Sequence, residues 1–357
     1  MISNKSFSED HIRKLYQNSK TDPILLERTI YAFGLLEALA KSGLQFVFKG
    51  GTCLMFLFDN PRRLSTDIDI IVKPNTPIEE YLSRVAKIFP FKNVEEQIRI
   101  GKNNIVKRHF KFVYDSPINK TPFYILLDVL FEENLYSEII SKEIKNNLLL
   151  IDGPNLTVDI PSADCILADK LTAFAPHTTG IPLSDGKLLD VAKQFYDLTS
   201  LIDIFSCCEN VLPTYKRIAT AEISYRGLNI SFRDCLKDSF LSAFCIASRG
   251  KTSAKEYPLY VRGIQNLHSH IYLKNFTSES AAFEAIKIMY LCACLLTGAD
   301  YLHVTNANDY KNKQLHNIEL SPLNYYRKVN LESYAYLILL DEIIINSNPF
   351  LFQNMEF

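Results

Sequence analysis

The chain has 357 residues, 47% of them hydrophobic and 22% charged, with a net charge of −1. This composition excludes a disordered chain. The charge balance excludes a global positive field, so any polyanionic partner must be held by a local patch.

The eight cysteines, at positions 53, 165, 207, 208, 235, 245, 292 and 294, form no C-x-x-C pair. Their apolar settings point to buried thiols in a reducing compartment. The N-terminal stretch MISNKSFSEDHIRK has no apolar core of the signal-peptide kind. No apolar run is read as reaching the roughly 18 residues of a spanning helix. The expectation is a cytoplasmic protein with no membrane partner.

Asp22-Pro23 caps a helix whose apolar positions Leu25, Leu26, Ile30, Phe33, Leu36 and Ala40 recur at helical spacing, with Gly43 as its stop. LQFVFK (44–49) reads as a strand. Gly50-Gly51 turns it into a helix over 52–58, which Asp59-Asn60-Pro61 breaks. IDIIV (68–72) is the next strand, stopped by Lys73-Pro74, and IEEYLSRVAKIF after Pro77 is an amphipathic helix. Strands follow at 94–100, 106–114 and 122–131, the first two joined by Gly101 to Asn104. From Ser162 the periods are helical to the end. The expected organisation is an α/β domain over 1–160 and a helical domain over 161–357.

Asp67 and Asp69 are two residues apart on a strand, so their carboxylates share a face. Paired acids in a half-buried segment repel and are costly to desolvate. A divalent cation relieves both problems, and hard carboxylate oxygens on a rigid element suit Mg²⁺ or Mn²⁺. Alone, such a pair more often marks solvated or capping acids. Its surroundings favour chemistry. Gly50-Gly51 follows a strand and opens a helix, where backbone N–H groups can meet phosphate. Thr52 adds a hydroxyl, and Lys49 and Arg63 add positive charge. Asp128 is a lone acid in the apolar strand FYILLDVLF, and it can join the metal or act as a base.

KGGTCL followed by RRLSTDIDI (49–54 and 62–70) resembles the AbiEii/AbiGii nucleotidyltransferase toxins of the DNA polymerase β-like superfamily. The matching positions are Gly50, Gly51, Thr52, Arg63, Ser65, Asp67 and Asp69. The resemblance extends to Lys170 in ADKLTAF and to Asp190, Lys193 and Asp197 in KLLDVAKQFYDL, with Gln194 where an acid is usual. It covers about residues 25–205.

The resemblance implies an α+β nucleotidyltransferase fold, a small mixed sheet with flanking helices, followed by a helical C-terminal domain. It implies an NTP substrate with Mg²⁺ or Mn²⁺ on Asp67, Asp69 and Asp128. Gly50, Gly51, Thr52 and Ser65 would hold the triphosphate, and Lys170 and Lys193 would neutralise phosphate charge. It also implies a toxin paired with a separately encoded winged-helix antitoxin, in toxin–antitoxin or phage-defence systems. RNA, tRNA in particular, is the expected acceptor. The stretch 99–112 adds Arg99, Lys102, Lys107, Arg108, His109 and Lys111, with Phe110 and Phe112 interleaved, as groups that could track and stack RNA. The alternatives are a small-molecule nucleotidyltransferase and a non-catalytic nucleotide-binding module.

Overall fold

The structure is a computed structural model that describes residues 1–97 and 107–347. The expected connection Gly101–Asn104, with Arg99 and Lys102, lies outside the described residues. The chain divides into two compact units: residues 1–162 with 269–274, and residues 163–268 with 275–357.

The first unit opens with helices α1 (Glu9–Ser19) and α2 (Pro23–Lys41). Asp22 caps α2 by accepting from the Ile24 backbone N–H at 2.8 Å, with Pro23 in the first turn where its missing N–H costs nothing. Then come β1 (Val47–Lys49), α3 (Gly50–Leu54), β2 (Ile68–Val72), α4 (Ile78–Val85), β3 (Asn93–Glu96), β4 (Lys107–Asp115), β5 (Pro122–Phe131), β6 (Ile139–Glu143) and β7 (Thr157–Pro161). Among the described residues these strands form one mixed sheet in the order β3-β4-β5-β2-β1-β7-β6. β2 runs parallel to β5 and β1 parallel to β7; the other neighbours are antiparallel.

One sheet face is apolar and buried. Phe48, Ile68, Ile70, Ile125, Leu127, Val129, Phe110, Phe112 and Tyr114 alternate inward at period two, and α2 lies against β2 and β5. Glu27 of α2 is fully buried there. It accepts from the Tyr114 hydroxyl at 2.9 Å, the Ser116 hydroxyl at 2.8 Å and the Ile118 N–H at 3.2 Å. Those bonds satisfy a carboxylate that would otherwise be prohibitive to bury, and they fix α2, with Arg28 next in sequence, against the sheet.

The expected strand over 44–49 is shorter than its apolar pattern. Only Val47–Lys49 pairs, while Leu44 is buried ahead of it without a ladder. The expected helix over 52–58 is only Gly50–Leu54. The strands β6 and β7 escaped the sequence reading; β6 exposes Ser141 and Glu143, carries the half-buried Lys142 between them, and lacks an unbroken apolar pattern.

The second unit is helical: α5 (Ala163–Ala173), α6 (Leu188–Ile202), α7 (Cys208–Arg226), α8 (Phe232–Ala247), α9 (Tyr257–Leu267), α10 (Ser278–Thr297), the short α11 (Tyr326–Val329) and α12 (Leu331–Asn346). α10 corrects one expectation. It is long and apolar enough, by length and composition, to cross a bilayer. Its residues are mostly buried, and it packs against α6, α7, α8, α9 and α12 as the unit's core helix. Among the eight cysteines, all but Cys207 are buried.

Candidate active site

The second sheet face carries the acids. Strand register sets a polar row across four neighbouring strands: Lys49 of β1 opposite Asp69 of β2, Asp69 opposite Asp128 of β5, and Asp128 opposite His109 of β4. Directly opposed residues project to the same face, and Asp67, two positions before Asp69, projects with them. The isolated acid in β5 and the acid pair before β2 are thus brought together by parallel pairing.

The electrostatics of the row are strained. Burial pushes the Asp69 carboxyl up to about 6, opposed by Lys107, raised further by Asp128, opposed by Lys49 and raised again by Asp67. Asp67 is half exposed; Thr66 donates to it at 3.3 Å, and the Arg28 guanidinium approaches it at 3.5 Å. Asp128 is held by two neighbours, the Lys107 ammonium at 2.7 Å and His109 Nδ1 at 2.6 Å. As placed, Asp128 is bonded to those two side chains, and among the described residues no group of three or more His, Cys, Asp or Glu side chains closes on a common point as a metal cage.

The glycine turn is fitted to the acids by contact. Gly50 has φ +81°, a left-handed conformation costly for other residues. A Cβ there would run into the Asp69 carboxylate. A Cβ on Gly51 would stand 2.7 Å from Arg63 Nη2 and 2.9 Å from the Ser65 hydroxyl. Arg63 and Ser65 therefore lie directly over the turn, and Arg63 itself is buried. Its segment is clamped by a later stretch of the same unit: Leu64 N–H donates to the His270 carbonyl at 2.7 Å and Tyr272 N–H to the Arg62 carbonyl at 3.0 Å. Thr52 is fully buried, and its hydroxyl donates to the Asp67 backbone carbonyl at 2.5 Å. That hydroxyl is spent on joining the turn to the acid segment and is not offered to a phosphate. α3 spans five residues, so the turn's anion-binding capacity lies in its N–H groups rather than in a macrodipole.

In the second unit, Lys170 of α5 is buried, 3.0 Å from Asp197 and 3.1 Å from the Gln194 side-chain oxygen, both on α6. Asp197 is 1% exposed, whereas Asp190 and Lys193 form a looser surface pair at 3.8 Å. The helical spacing of Asp190, Lys193 and Asp197 thus splits into an inward anchor and an outward pair.

The expected RNA-tracking stretch is corrected where it is described. Phe110 and Phe112 belong to the core and cannot stack bases. Arg108 is bound by Glu96 and Glu79, and Lys107 and His109 by Asp128. Sequence reasoning missed His109 and Lys107 as partners of Asp128, although their period-two spacing in β4 was readable once the hairpin register was known. It missed Arg28 altogether, since no local pattern ties that helix residue to Asp67.

Among solved structures, a Helicobacter pylori protein described as a nucleotidyltransferase is 16% identical, with a TM-score of 0.44 over 75% of this chain and 95% of that one. JHP933 from Helicobacter pylori is 16% identical, with a TM-score of 0.41 over 75% and 92%. An antigenic nucleotidyltransferase-like protein from Paracoccidioides brasiliensis is 15% identical, with a TM-score of 0.37 over 56% and 89%. No curated protein matches the sequence. The sequence profile described as nucleotidyl transferase AbiEii toxin, type IV TA system, matches residues 34–251. That span is more than half of the chain and contains the glycine turn, the three aspartates and the Lys170–Asp197 pair. The chain belongs to the AbiEii nucleotidyltransferase toxin family.

Proposed function

We propose that this nucleotidyltransferase transfers a nucleoside monophosphate from an NTP to a hydroxyl of RNA, which attacks the α-phosphate and releases pyrophosphate, with a divalent cation held by Asp67 and Asp69. The observation that carries this reading is the register Asp69↔Asp128, which gathers three carboxylates on one sheet face. The donor set fits a hard cation: carboxylate oxygens only, with Asp69 desolvated and disfavoured as a bare anion. When bound, Mg²⁺ or Mn²⁺ would neutralise the charge that builds on the transferring phosphoryl group.

The chain's own groups do the remainder. The Gly50 and Gly51 turn offers backbone N–H groups to the triphosphate, with Ser65 and Arg63 over it and Lys49 at its entry. Thr52 keeps that turn in register with Asp67. Asp128, oriented by Lys107 and His109, accepts the proton of the attacking hydroxyl. Lys170, Lys193, Asp190 and Asp197 are the helical-unit positions of the family-like pattern, and within that unit Lys170 and Asp197 act as a buried anchor. The domain division at residue 160, the cytoplasmic location, a winged-helix antitoxin as partner and a role in phage defence are parts of the same reading. The division and the location rest on the sequence's periodicity and its lack of a signal-peptide core, and the antitoxin and phage defence on the family.

The test is incubation of the purified protein with each α-labelled NTP, Mg²⁺ and total RNA. Label should enter a tRNA-sized band, and Asp69→Asn should reduce it by about 10³-fold or more, the scale of losing a charge-stabilising catalytic group. Label entering only small molecules would move the acceptor to the small-molecule class. No label with any NTP would sink the transfer reading.

A further inference from the structure

Asp128 is bonded on both of its carboxylate oxygens. The Lys107 ammonium stands 2.7 Å from Oδ2, and His109 Nδ1 stands 2.6 Å from Oδ1. Both partners come from β4, two residues apart and on the face to which Asp128 projects. A carboxylate only 13% exposed is costly to bury alone, and the two bonds fix where it points. Lys107 acts on more than Asp128. Burial raises the Asp69 carboxyl, and the charge that opposes this most is Lys107, ahead of Lys49. One ammonium is thus set against two acids that the register Asp69↔Asp128 brings side by side.

A second metal ion would have to compete for the same acids. Where two divalent cations serve phosphoryl transfer, they stand about 3.5–4 Å apart and clamp the attacking and the leaving oxygen. Asp67 and Asp69 share a face and can hold one cation. A second would need Asp128, whose two oxygens already accept from Lys107 and His109, and it would meet the positive charge of Lys107. A lysine ammonium is a compact charge with three donors. It can bond Asp128 and still donate to an oxygen of the substrate. We propose that the site takes a single divalent cation, on Asp67 and Asp69, and that the Lys107 ammonium stands in for the second, held by Asp128 and donating to the attacking hydroxyl oxygen. The proton of that hydroxyl passes to Asp128 as its oxygen bonds the α-phosphorus and the bond to the departing pyrophosphate breaks. Lys107 keeps its own protons throughout. The inference deepens the transfer reading and rests on it for the reaction that the cation serves, not for the number of cations.

The experiment is electron paramagnetic resonance of Mn²⁺ titrated into the full chain with one equivalent of an NTP analogue that cannot be cleaved at the α-phosphate, alongside the transfer assay. The parent should hold one Mn²⁺ without spin coupling. Lys107→Met removes the ammonium and frees one Asp128 oxygen, and it should hold two Mn²⁺, spin-coupled at the short separation of a two-metal centre. Lys107→Arg should keep the count at one. In the assay, Lys107→Met should lose about 10²-fold in rate at the Mn²⁺ level that saturates the parent, and regain part of it as Mn²⁺ is raised. Two coupled Mn²⁺ in the parent would overturn the inference. So would a single Mn²⁺ in a folded Lys107→Met, or an unchanged transfer rate in that variant. No bound Mn²⁺ in the parent would sink the cation reading and this inference with it. One Mn²⁺ in the parent and two in Lys107→Met, with no transfer from any NTP, would refute the transfer reading and leave the count standing. Transfer by a parent that holds two coupled Mn²⁺ would do the reverse.

Discussion

Asp69 is where the residue-scale physics is most concentrated. Its carboxyl is raised to about 6 by burial and by two neighbouring acids. A carboxyl whose folded value lies above its unfolded value of 3.8 binds more protons folded than unfolded between about pH 4 and 6. Its contribution to stability therefore declines as pH rises through that window. A divalent cation that needs the ionised form reverses the trend. Calorimetry across pH 5 to 7 should show a proton released on Mg²⁺ binding near pH 5 and little released by pH 7. The thermal shift given by Mg²⁺ should grow over the same range. In Asp69→Asn both effects should vanish, and a pH-independent shift would refute a cation on Asp69. Gly50 belongs to the same account. Its left-handed φ and its contact with the Asp69 carboxylate leave no room for a side chain.

Between elements, the Lys170–Asp197 pair joins α5 to α6. Two charges buried this deeply gain little over an apolar pair, but removing one partner strands the other. Asp197→Ala should destabilise the protein by about 3 kcal/mol or more in denaturant unfolding. The double variant Lys170→Met/Asp197→Ala should recover most of that loss. Equal destabilisation in single and double variants would mean that the pair contributes through packing alone. Gln194 fits this geometry. Its side-chain oxygen accepts from Lys170 at 3.1 Å, so a neutral acceptor suffices where an ion pair is already formed. The element-scale lesson for β4 is similar. Its alternating pattern was legible, but cations that looked available for RNA are bound by Glu79, Glu96 and Asp128.

At the scale of the whole molecule, each unit carries its own long-range ties. In the second, His177 of the PHTTG loop is bracketed by Asp238 of α8 at 2.7 Å and Glu256, just before α9, at 2.7 Å. Hydrogen bonding to Asp238 raises its value to about 9, against the opposing effect of burial, with further help from Asp238's charge and from Glu256. Because the folded value lies above the unfolded 6.5, the charged His177 gives its full stabilisation below pH 6.5 and loses it as pH rises towards 9. The thermal midpoint should fall across that interval, and His177→Gln should flatten the profile. An unchanged slope in the variant would place the pH dependence elsewhere. In the first unit, residues 269–274 return to pair with Arg62–Leu64, so the arginine over the glycine turn is held by chain that lies two hundred residues downstream.

The sequence by itself determined the local chemistry. The capped α2, the strand IDIIV, the Gly50-Gly51 turn, the same-face pair Asp67 and Asp69, and the motif that marks the family all follow from short-range periodicity, turn residues and spacing. Those features are encoded within a few residues of one another and need no partner to be read. Only the tertiary structure decided which distant groups meet. Register put Asp128 beside Asp69 and His109 beside Asp128. Burial turned Thr52 and Lys170 inward, where their polar ends are taken by Asp67 and Asp197. α2 delivered Arg28 to the acid segment. Pairing partners and burial are properties of the folded chain's long-range contacts, and a one-residue shift of register would have sent every acid of the row to the opposite face.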